Sequence, residues 1–531
     1  MAKGLLALGA VALALIAGAA RAATSCEGLT GVALGHASVT AAAEATAGTV
    51  VACKIEVTSR PTPDSDIRIE VWIPKGAAWN GRYLQLGNGG LAGSINTAFL
   101  QVLAARGYAV AGTDDGHQAQ ETDGRWALGH AEKIVDYGWR ALKEATEAAK
   151  ALILAYEGEP ARRAYFAGCS DGGREALMEA QRFPDDFDGI VAGAPAANFT
   201  GLLTLAAYDA QVLGRPGAWL PADKLGTLEA AAQNGCGRGF FIADPPACRF
   251  DPRTVICPTA ADSPDCVTAA QADAAAALYR GLLLPDGRLI SPGYTTGEED
   301  ERDGWVTWIT GEPQSEAQNA LIWQFGRSFW RDFVFGDPNY DITKLDLAHA
   351  SDATARLAPI LNATDPDLRR FRAHGGKLIQ YHGWNDPAIP ALTSVIYYGE
   401  VRSRMPDAAD FYRLYLVPGM LHCGGGPGPS NVDWIQRLQD WVEKGQAPEA
   451  IVATGGEAVG PHRQVLCPYP DRGATDSAGA AQCLTEAPVT GCPDPEEVGT
   501  LTGKDVASFE FHCVAPPKPA TPATPKPPPR P

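Results

Sequence analysis

Apolar and polar side chains alternate over Ile67–Ile73 (IRIEVWI), which predicts a strand with one face buried. Short apolar runs recur at Tyr83–Leu86, Tyr108–Gly112, Ala164–Ala167, Gly189–Ala192, Lys377–Tyr381 and Phe411–Val417, and most end in turns containing Gly or Asp. Helical patterns lie between them, for example Tyr137–Tyr156, Arg174–Arg182 and Val432–Glu443. Strands alternating with helices predict an α/β fold, a parallel sheet covered on both faces.

The rhythm breaks over residues 201–349. That stretch holds four cysteines, many alanines and a run of aromatics: Trp305, Trp308, Trp323, Phe325, Phe329, Trp330, Phe333 and Phe335. It reads as a domain inserted into the core, which then comprises residues 23–200 and 350–485. Its aromatics read first as core, because aromatics dominate cores. Residues 514–531 (VAPPKPATPATPKPPPRP) are half proline and predict an extended tail without a packed core. No internal repeat is present.

Residues 1–22 have the parts of a secretory signal: Lys3, an apolar run from Leu5 to Ala17, and Ala20-Arg21-Ala22 as a cleavage pattern. The run is too short to cross a bilayer; an N-terminal anchor is the competing reading. No later stretch is apolar enough to span. With 44 Lys and Arg against 62 Asp and Glu, the net charge is −18. Nucleic acid and anionic membranes attract clustered cations, so neither is expected as a partner. Apolar residues at 45% and charged residues at 20% are ordinary for a globular protein.

Export gives the twelve cysteines a meaning. They are Cys26, Cys53, Cys169, Cys236, Cys248, Cys257, Cys266, Cys423, Cys467, Cys483, Cys492 and Cys513. An even set in an exported chain reads as disulfides. Metal binding competes, but no C-x-x-C pair occurs. Six bridges are expected, and spacing alone does not give their connectivity.

The predicted strand Ala164–Ala167 runs into Gly168-Cys169-Ser170-Asp171-Gly172 and then a helical pattern. This is G-x-S-x-G at a strand–turn–helix junction, where a sharp turn lifts a serine hydroxyl above a sheet. Serine needs a base, and the base an acid to orient it. In sheet hydrolases the chain order is Ser, Asp, His. Two later strands end at Asp386 and His422, at the sheet edge where such sites lie. His382 is a nearby rival base, but it precedes the acid and breaks the order. Asp386 could instead cap a helix, and His422 could be a core or loop histidine.

Cys169 directly precedes Ser170, and Cys423 directly follows His422. A bridge between them would tie nucleophile to base and close a loop worth ~5 kcal/mol in the chain-entropy model. An oxyanion needs two backbone N–H donors. Asp171 is expected to supply one, and the turn Gly87-Asn88-Gly89-Gly90 the other, at Gly90 or else Gly89.

The Cys-Ser … Asp … His-Cys arrangement resembles the tannase and feruloyl esterase family. The likeness extends to Gly112–His117 (GTDDGH), Asp136–Ala141 (DYGWRA), Phe166–Arg174 (FAGCSDGGR), Phe187–Pro195 (FDGIVAGAP) and Cys248–Pro252 (CRFDP), and covers about residues 25–485. It implies an α/β-hydrolase core, an inserted lid domain, and hydrolysis of esters of aromatic acids by an exported enzyme. It also implies the pairs Cys26–Cys53, Cys169–Cys423, Cys236–Cys248, Cys257–Cys266 and Cys467–Cys483. Cys492 and Cys513 are left in an extra segment, 486–513. Family lids carry an Asp-rich calcium loop between two cysteines; here the interval 236–248 keeps only Asp244. Calcium takes six or more oxygens, so no cofactor or metal is expected there. Trp323, Phe325 and Trp330 are candidates to stack on an aromatic acyl group; Arg327 and Arg331 are conceivable partners for a second carboxylate, but read first as surface arginines. The competing readings are an exported binding protein on the same fold and a serine acyltransferase or peptidase. Oligomeric state is not legible.

Overall fold

The computed structural model describes residues 24–236, 241–259, 262–455, 463–475 and 480–484. The expected signal peptide, Cys492, Cys513 and the proline tail lie outside the described residues. Eleven strands matter for the site. In chain order they are β1 (Ala37–Ala47), β2 (Val50–Ser59), β3 (Ile67–Pro74), β4 (Arg82–Leu86), β5 (Ala109–Thr113), β6 (Arg163–Cys169), β7 (Gly189–Gly193), β8 (Gly281–Leu283), β9 (Leu289–Pro292), β10 (Lys377–Gly383) and β11 (Tyr412–Val417).

Nine of them form one sheet in the order β1-β2-β3-β5-β4-β6-β7-β10-β11. From β5 to β11 all neighbours are parallel. β1, β2 and β3 join antiparallel at one edge, so the sheet is mixed rather than wholly parallel. The sequence gives little sign of β1, whose ASVTAAAEATA is alanine-rich and largely exposed. Alanine carries little strand preference, and the long ladder to β2 holds β1 in place instead.

The inner strands are short continuous apolar runs because helices cover both faces. Ala141–Glu157, Asp171–Arg182 and Leu392–Arg404 pack on one face, through residues such as Leu142, Leu152, Leu177 and Tyr398. Thr97–Ala105 and Trp434–Lys444 cover the other. The last of these shows the local logic. Asp433 caps it by accepting the Gln436 N–H at 3.0 Å. Trp434, Leu438 and Trp441, at helical spacing, are buried against the sheet, and Gly445 ends it at φ 69°.

Between β7 and β10 the chain leaves the sheet and builds a separate apolar cluster. Its centre is the helix Phe199–Leu213, which runs across residue 200, the edge drawn from the sequence. Helices Ala222–Cys236 and Ala269–Arg280, the hairpin β8–β9 and helix Leu321–Ser328 complete it. Trp305, Phe329, Trp330 and Phe333 are buried within it, as the core reading expected. Five disulfides are formed, Cys26–Cys53, Cys169–Cys423, Cys236–Cys248, Cys257–Cys266 and Cys467–Cys483, and no described cysteine is free.

Candidate active site

The parallel register brings the strand ends together. Leu86 pairs with Ala167, Cys169 with Gly193, Gly193 with Tyr381, and Gly383 with Val417. The loops after β4, β6, β10 and β11 therefore leave one edge of the sheet, the edge where α/β sheets bind ligands.

Ser170 follows β6 directly and starts the helix Asp171–Arg182 at φ 66°, ψ −122°. A non-glycine residue there is strained. The flanking glycines make the turn possible. A Cβ on Gly168 would lie 2.3 Å from the Gly172 carbonyl oxygen, and one on Gly172 would lie 2.6 Å from that of Asn88.

The Ser170 hydroxyl donates to His422 Nε2 at 2.9 Å, and His422 Nδ1–H donates to Asp386 Oδ2 at 2.8 Å. Asp386 Oδ1 accepts the N–H groups of Ala388, at 2.8 Å, and Ile389, at 2.9 Å. Burial opposes ionisation of Asp386, but the His422 and His382 imidazoles outweigh it and hold the carboxyl well below its usual range. The expected Ser, Asp and His are thus brought into line, and the Cys169–Cys423 bridge spans their chain neighbours.

His382 stands behind the acid, fully buried. Its Nε2 lies 2.9 Å from the Ile389 carbonyl oxygen and 3.2 Å from Asp386 Oδ2. Both are acceptors, so Nε2 carries the proton, and Nδ1 then accepts the Ser394 hydroxyl at 2.7 Å. Ser394 Oγ in turn accepts Gln380 Nε2–H at 2.6 Å, and Gln380 Oε1 accepts the Tyr412 hydroxyl. The rival histidine of the sequence is thus fixed behind Asp386, away from Ser170.

Asp171 and Gly90 both border the cleft at Ser170. Neither backbone N–H donates to another group among the described residues. Gly89 is exposed and lies away from this cleft. The two segments lock together: Gly172 N–H donates to the Asn88 carbonyl at 2.6 Å, and the Tyr137 hydroxyl donates to Asp171 Oδ1 at 2.9 Å and to the Gly90 carbonyl at 3.1 Å. Arg174, fully buried, donates to both oxygens of Asp171, at 2.6 and 3.0 Å. The DYGWRA and FAGCSDGGR segments meet at this junction.

Beneath it, Asn88 N–H donates to Glu175 Oε2 at 2.8 Å, and Asn88 Nδ2–H to Asp115 Oδ2 at 3.0 Å. The remaining oxygens of these two buried carboxyls have no other partner. Burial and the nearby Glu175 charge raise Asp115, and burial with the nearby Asp171 charge raises Glu175.

The cleft is narrow, with about 40 Å³ open to water, and it widens to solvent at its mouth. Its walls are Leu91, Ala196, Ala388 and Ile389 from the core, and Phe199, Leu202, Leu203, Trp308, Ile322 and Phe325 from the insertion and its central helix. Trp308 stands edge-on to His422 with ring centroids 4.9 Å apart. Trp308 and Phe325 lie near-parallel, 22° apart in plane and 6.5 Å between centroids. Of the aromatic candidates, Phe325 reaches the cleft. Trp330 is buried, its Nε1–H donating to the Leu203 carbonyl, and Trp323 packs on the insertion core. Arg327 and Arg331 do not line the cleft; Arg331 Nε–H donates to the Tyr340 carbonyl. Trp308 was legible only as one aromatic among eight, because its place depends on how the insertion packs.

The interval Cys236–Cys248 does not fit calcium. Its described part offers one carboxylate, Asp244, and residues 237–240 are Gly, Arg, Gly and Phe.

A mixed sheet, helices on both faces and a Ser-His-Asp line at the strand ends define an α/β hydrolase. Residues 50–487 match the family model described as tannase and feruloyl esterase. The chain belongs to this family and is a carboxylic ester hydrolase. It is 35% identical to an uncharacterized esterase of Xanthomonas campestris, over 87% of this chain and 90% of the relative. It is 33% identical to mono(2-hydroxyethyl) terephthalate hydrolase of Piscinibacter sakaiensis, over 76% of this chain and 78% of the relative. Its fold is similar to the crystal structure of feruloyl esterase B from Aspergillus oryzae, with TM-score 0.78 and 25% identity, covering 86% of this chain and 99% of that one.

Proposed function

We propose that the protein hydrolyses esters of uncharged aromatic acids by two-step acyl transfer at Ser170. The observation that carries this reading is the Ser170–His422–Asp386 line, with bonds of 2.9 and 2.8 Å, opening on an apolar cleft. His422 takes the serine proton as Ser170 Oγ attacks the ester carbonyl. Asp386 fixes the imidazole tautomer and stabilises its cation. The N–H groups of Asp171 and Gly90 receive the oxyanion. The same histidine protonates the leaving alcohol, then activates the water that releases the acid.

The substrate class rests on the cleft wall. The near-parallel Trp308 and Phe325 rings offer faces to a planar acyl group. Feruloyl and galloyl groups are neutral there. A terephthalate half-ester brings a second carboxylate, and no Lys, Arg or His is among the cleft's wall residues. A feruloyl- or galloyl-type acyl group is therefore favoured over the terephthaloyl group acted on by the Piscinibacter sakaiensis relative.

The site of action is an oxidising compartment outside the cytoplasm. Five disulfides support this, and so does the signal-like segment 1–22. No helix among the described residues is long and apolar enough to cross a membrane.

The test is turnover of methyl ferulate, methyl gallate, mono(2-hydroxyethyl) terephthalate and p-nitrophenyl acetate by the oxidised protein, with Ser170→Ala alongside. Cleavage of a neutral aromatic ester, absent from the variant, is expected. Normal turnover by Ser170→Ala would sink the mechanism. A preference for the terephthalate half-ester would sink the substrate class.

A further inference from the structure

Away from the Ser170 cleft, Glu229, Glu298 and Glu301 bring one carboxylate oxygen each to within 4.8 Å of one another. Glu229 stands on the helix Ala222–Cys236. Glu298 and Glu301 belong to the loop that follows β9. Acidic groups gather on many surfaces without consequence, but Glu298 is not on the surface. It is 3% exposed, and neither of its oxygens has a hydrogen-bond partner. Among the described residues no Lys, Arg or His pairs with any of the three.

A buried carboxyl without donor or cation costs several kcal/mol. A proton or a bound cation can remove that cost. Burial and the neighbouring Glu229 and Glu301 push Glu298 up to about 10, and burial pushes Glu229 up to about 8. These directions express the same lack of positive charge. Geometry separates the two remedies. A proton shared between two carboxyls needs a hydrogen bond from one to the other. Glu298 makes no such bond to either neighbour. The three glutamates instead spread their oxygens over a span that a single ion covers, since calcium–oxygen distances are about 2.4 Å and two ligands lie at most about 4.8 Å apart across it.

We propose that Glu229, Glu298 and Glu301 hold one hard divalent cation of calcium's class, with water completing its shell. The donor set is all oxygen, which selects against the softer metals that favour Cys and His. Glu229 is already oriented: Gln233 Nε2–H donates to Oε1 at 3.3 Å, and Asp300 N–H donates to Oε2 at 2.8 Å. Glu229 and Glu301 are half-buried, which leaves the ion a route from solvent. The site is distinct from the Cys236–Cys248 interval, which lacks the ligands.

The ion would act on the seat of the loop that carries Glu298. Gln233 Nε2–H donates to the Gly297 carbonyl at 2.9 Å, and Asn385 Nδ2–H to that of Thr296 at 3.1 Å. Asn385 immediately precedes Asp386, and its Oδ1 accepts Gly419 N–H at 3.1 Å in the loop leading to His422. A few residues on, the same loop delivers Trp308 to the cleft. A cation at Glu298 thus cross-links the insertion where it touches the acid and base loops.

The test uses the full-length oxidised protein, stripped with a chelator and dialysed. Calcium chloride is added in calorimetric titration and in thermal melts, with magnesium chloride as the comparison. Binding of one calcium per chain, with the melting midpoint raised, is expected. Glu298→Gln and, separately, Glu301→Gln are expected to weaken binding by on the order of tenfold or more. Exposed Glu316→Gln, in the same insertion, leaves binding unchanged. The idea is overturned if the stripped protein shows no saturable calcium binding, or if both variants bind as the parent does. A Glu298→Gln protein more stable than a parent that binds nothing would assign the pocket to a proton. None of these readouts uses ester turnover, so failure here leaves the esterase reading intact.

Discussion

Cys169 and Cys423 join the residue before Ser170 to the residue after His422. Ser170 and Cys423 both have left-handed backbones, at φ 66° and 62°. Such conformations cost roughly 1–3 kcal/mol each for non-glycine residues. The bridge ties the two strained turns to each other, and its 254-residue separation gives it ~5 kcal/mol of chain-entropy stabilisation. The Cys169→Ser/Cys423→Ser protein is expected to lose at least about tenfold in kcat, because a small misplacement of the base is costly. It should also melt at a lower temperature. The decisive comparison is kcat measured well below the new melting midpoint; a value equal to the parent's would reduce the bridge to a stability device.

His382 was legible as a histidine near the acid, and chain order removes it as the base. Its actual place follows from β10, which buries it under Asp386 with Ser394 and Gln380 behind it. Replacing His382 by Asn withdraws a donor from Asp386 and leaves buried polar groups unpaired, at about 1–3 kcal/mol. The Asp386 carboxyl then titrates higher. The expected result is a roughly tenfold fall in kcat/KM and an acid limb moved to higher pH. A stability loss with an unmoved pH profile would make the residue purely structural.

The core strands from β3 onward and the strand–turn–helix at Ser170 were legible because each depends on a few adjacent residues, and the structure sets Ser170, His422 and Asp386 in a hydrogen-bonded line. β1 was not, since its alanines pair only because β2 is there. The GNGG run leaves Gly90 and Gly89 close rivals; Gly90 and not Gly89 borders the cleft at Ser170, a placement set by long-range contacts such as the Tyr137 hydroxyl on the Gly90 carbonyl, 47 positions away. Trp308 and Ile389 lie far apart in the chain and meet only when the insertion folds over the sheet. The cleft at Ser170 is built by long-range packing, which spacing does not encode.

Trp308 and Phe325 are expected to act on the acyl group rather than on the chemistry. Phe325→Ala should raise KM for a methyl ferulate-type ester by on the order of tenfold, the worth of an aromatic contact and its buried area. For p-nitrophenyl acetate, whose acyl group is too small to reach the ring, the change should be slight. Equal losses on both esters, carried by kcat, would place the ring in holding the site together. Trp308→Ala should show the same preference with a further loss in kcat, because Trp308 also contacts His422.

Asp209 gives the insertion a pH dependence that can be isolated from the active site. It is buried on the helix Phe199–Leu213, accepts the Tyr294 hydroxyl on Oδ2 at 2.9 Å, and has no partner for Oδ1. Burial raises its pKa to about 8, with the Tyr294 bond pulling the other way. The folded protein therefore keeps the proton between the ordinary carboxyl range and pH 8, while the unfolded chain has lost it. More protons bound in the folded state mean that stability falls as pH rises through this window. Asp386 has the opposite sign: its lowered pKa lends stability above the ordinary carboxyl range, lost as pH falls through the folded value. Asp209→Asn keeps the size and a hydrogen-bond partner for Tyr294 without the charge. The gap between its urea midpoint and the parent's should be small near pH 4 and widen steadily in the variant's favour up to pH 8. Parallel midpoints from pH 5 to 9 would show that Asp209 does not titrate there.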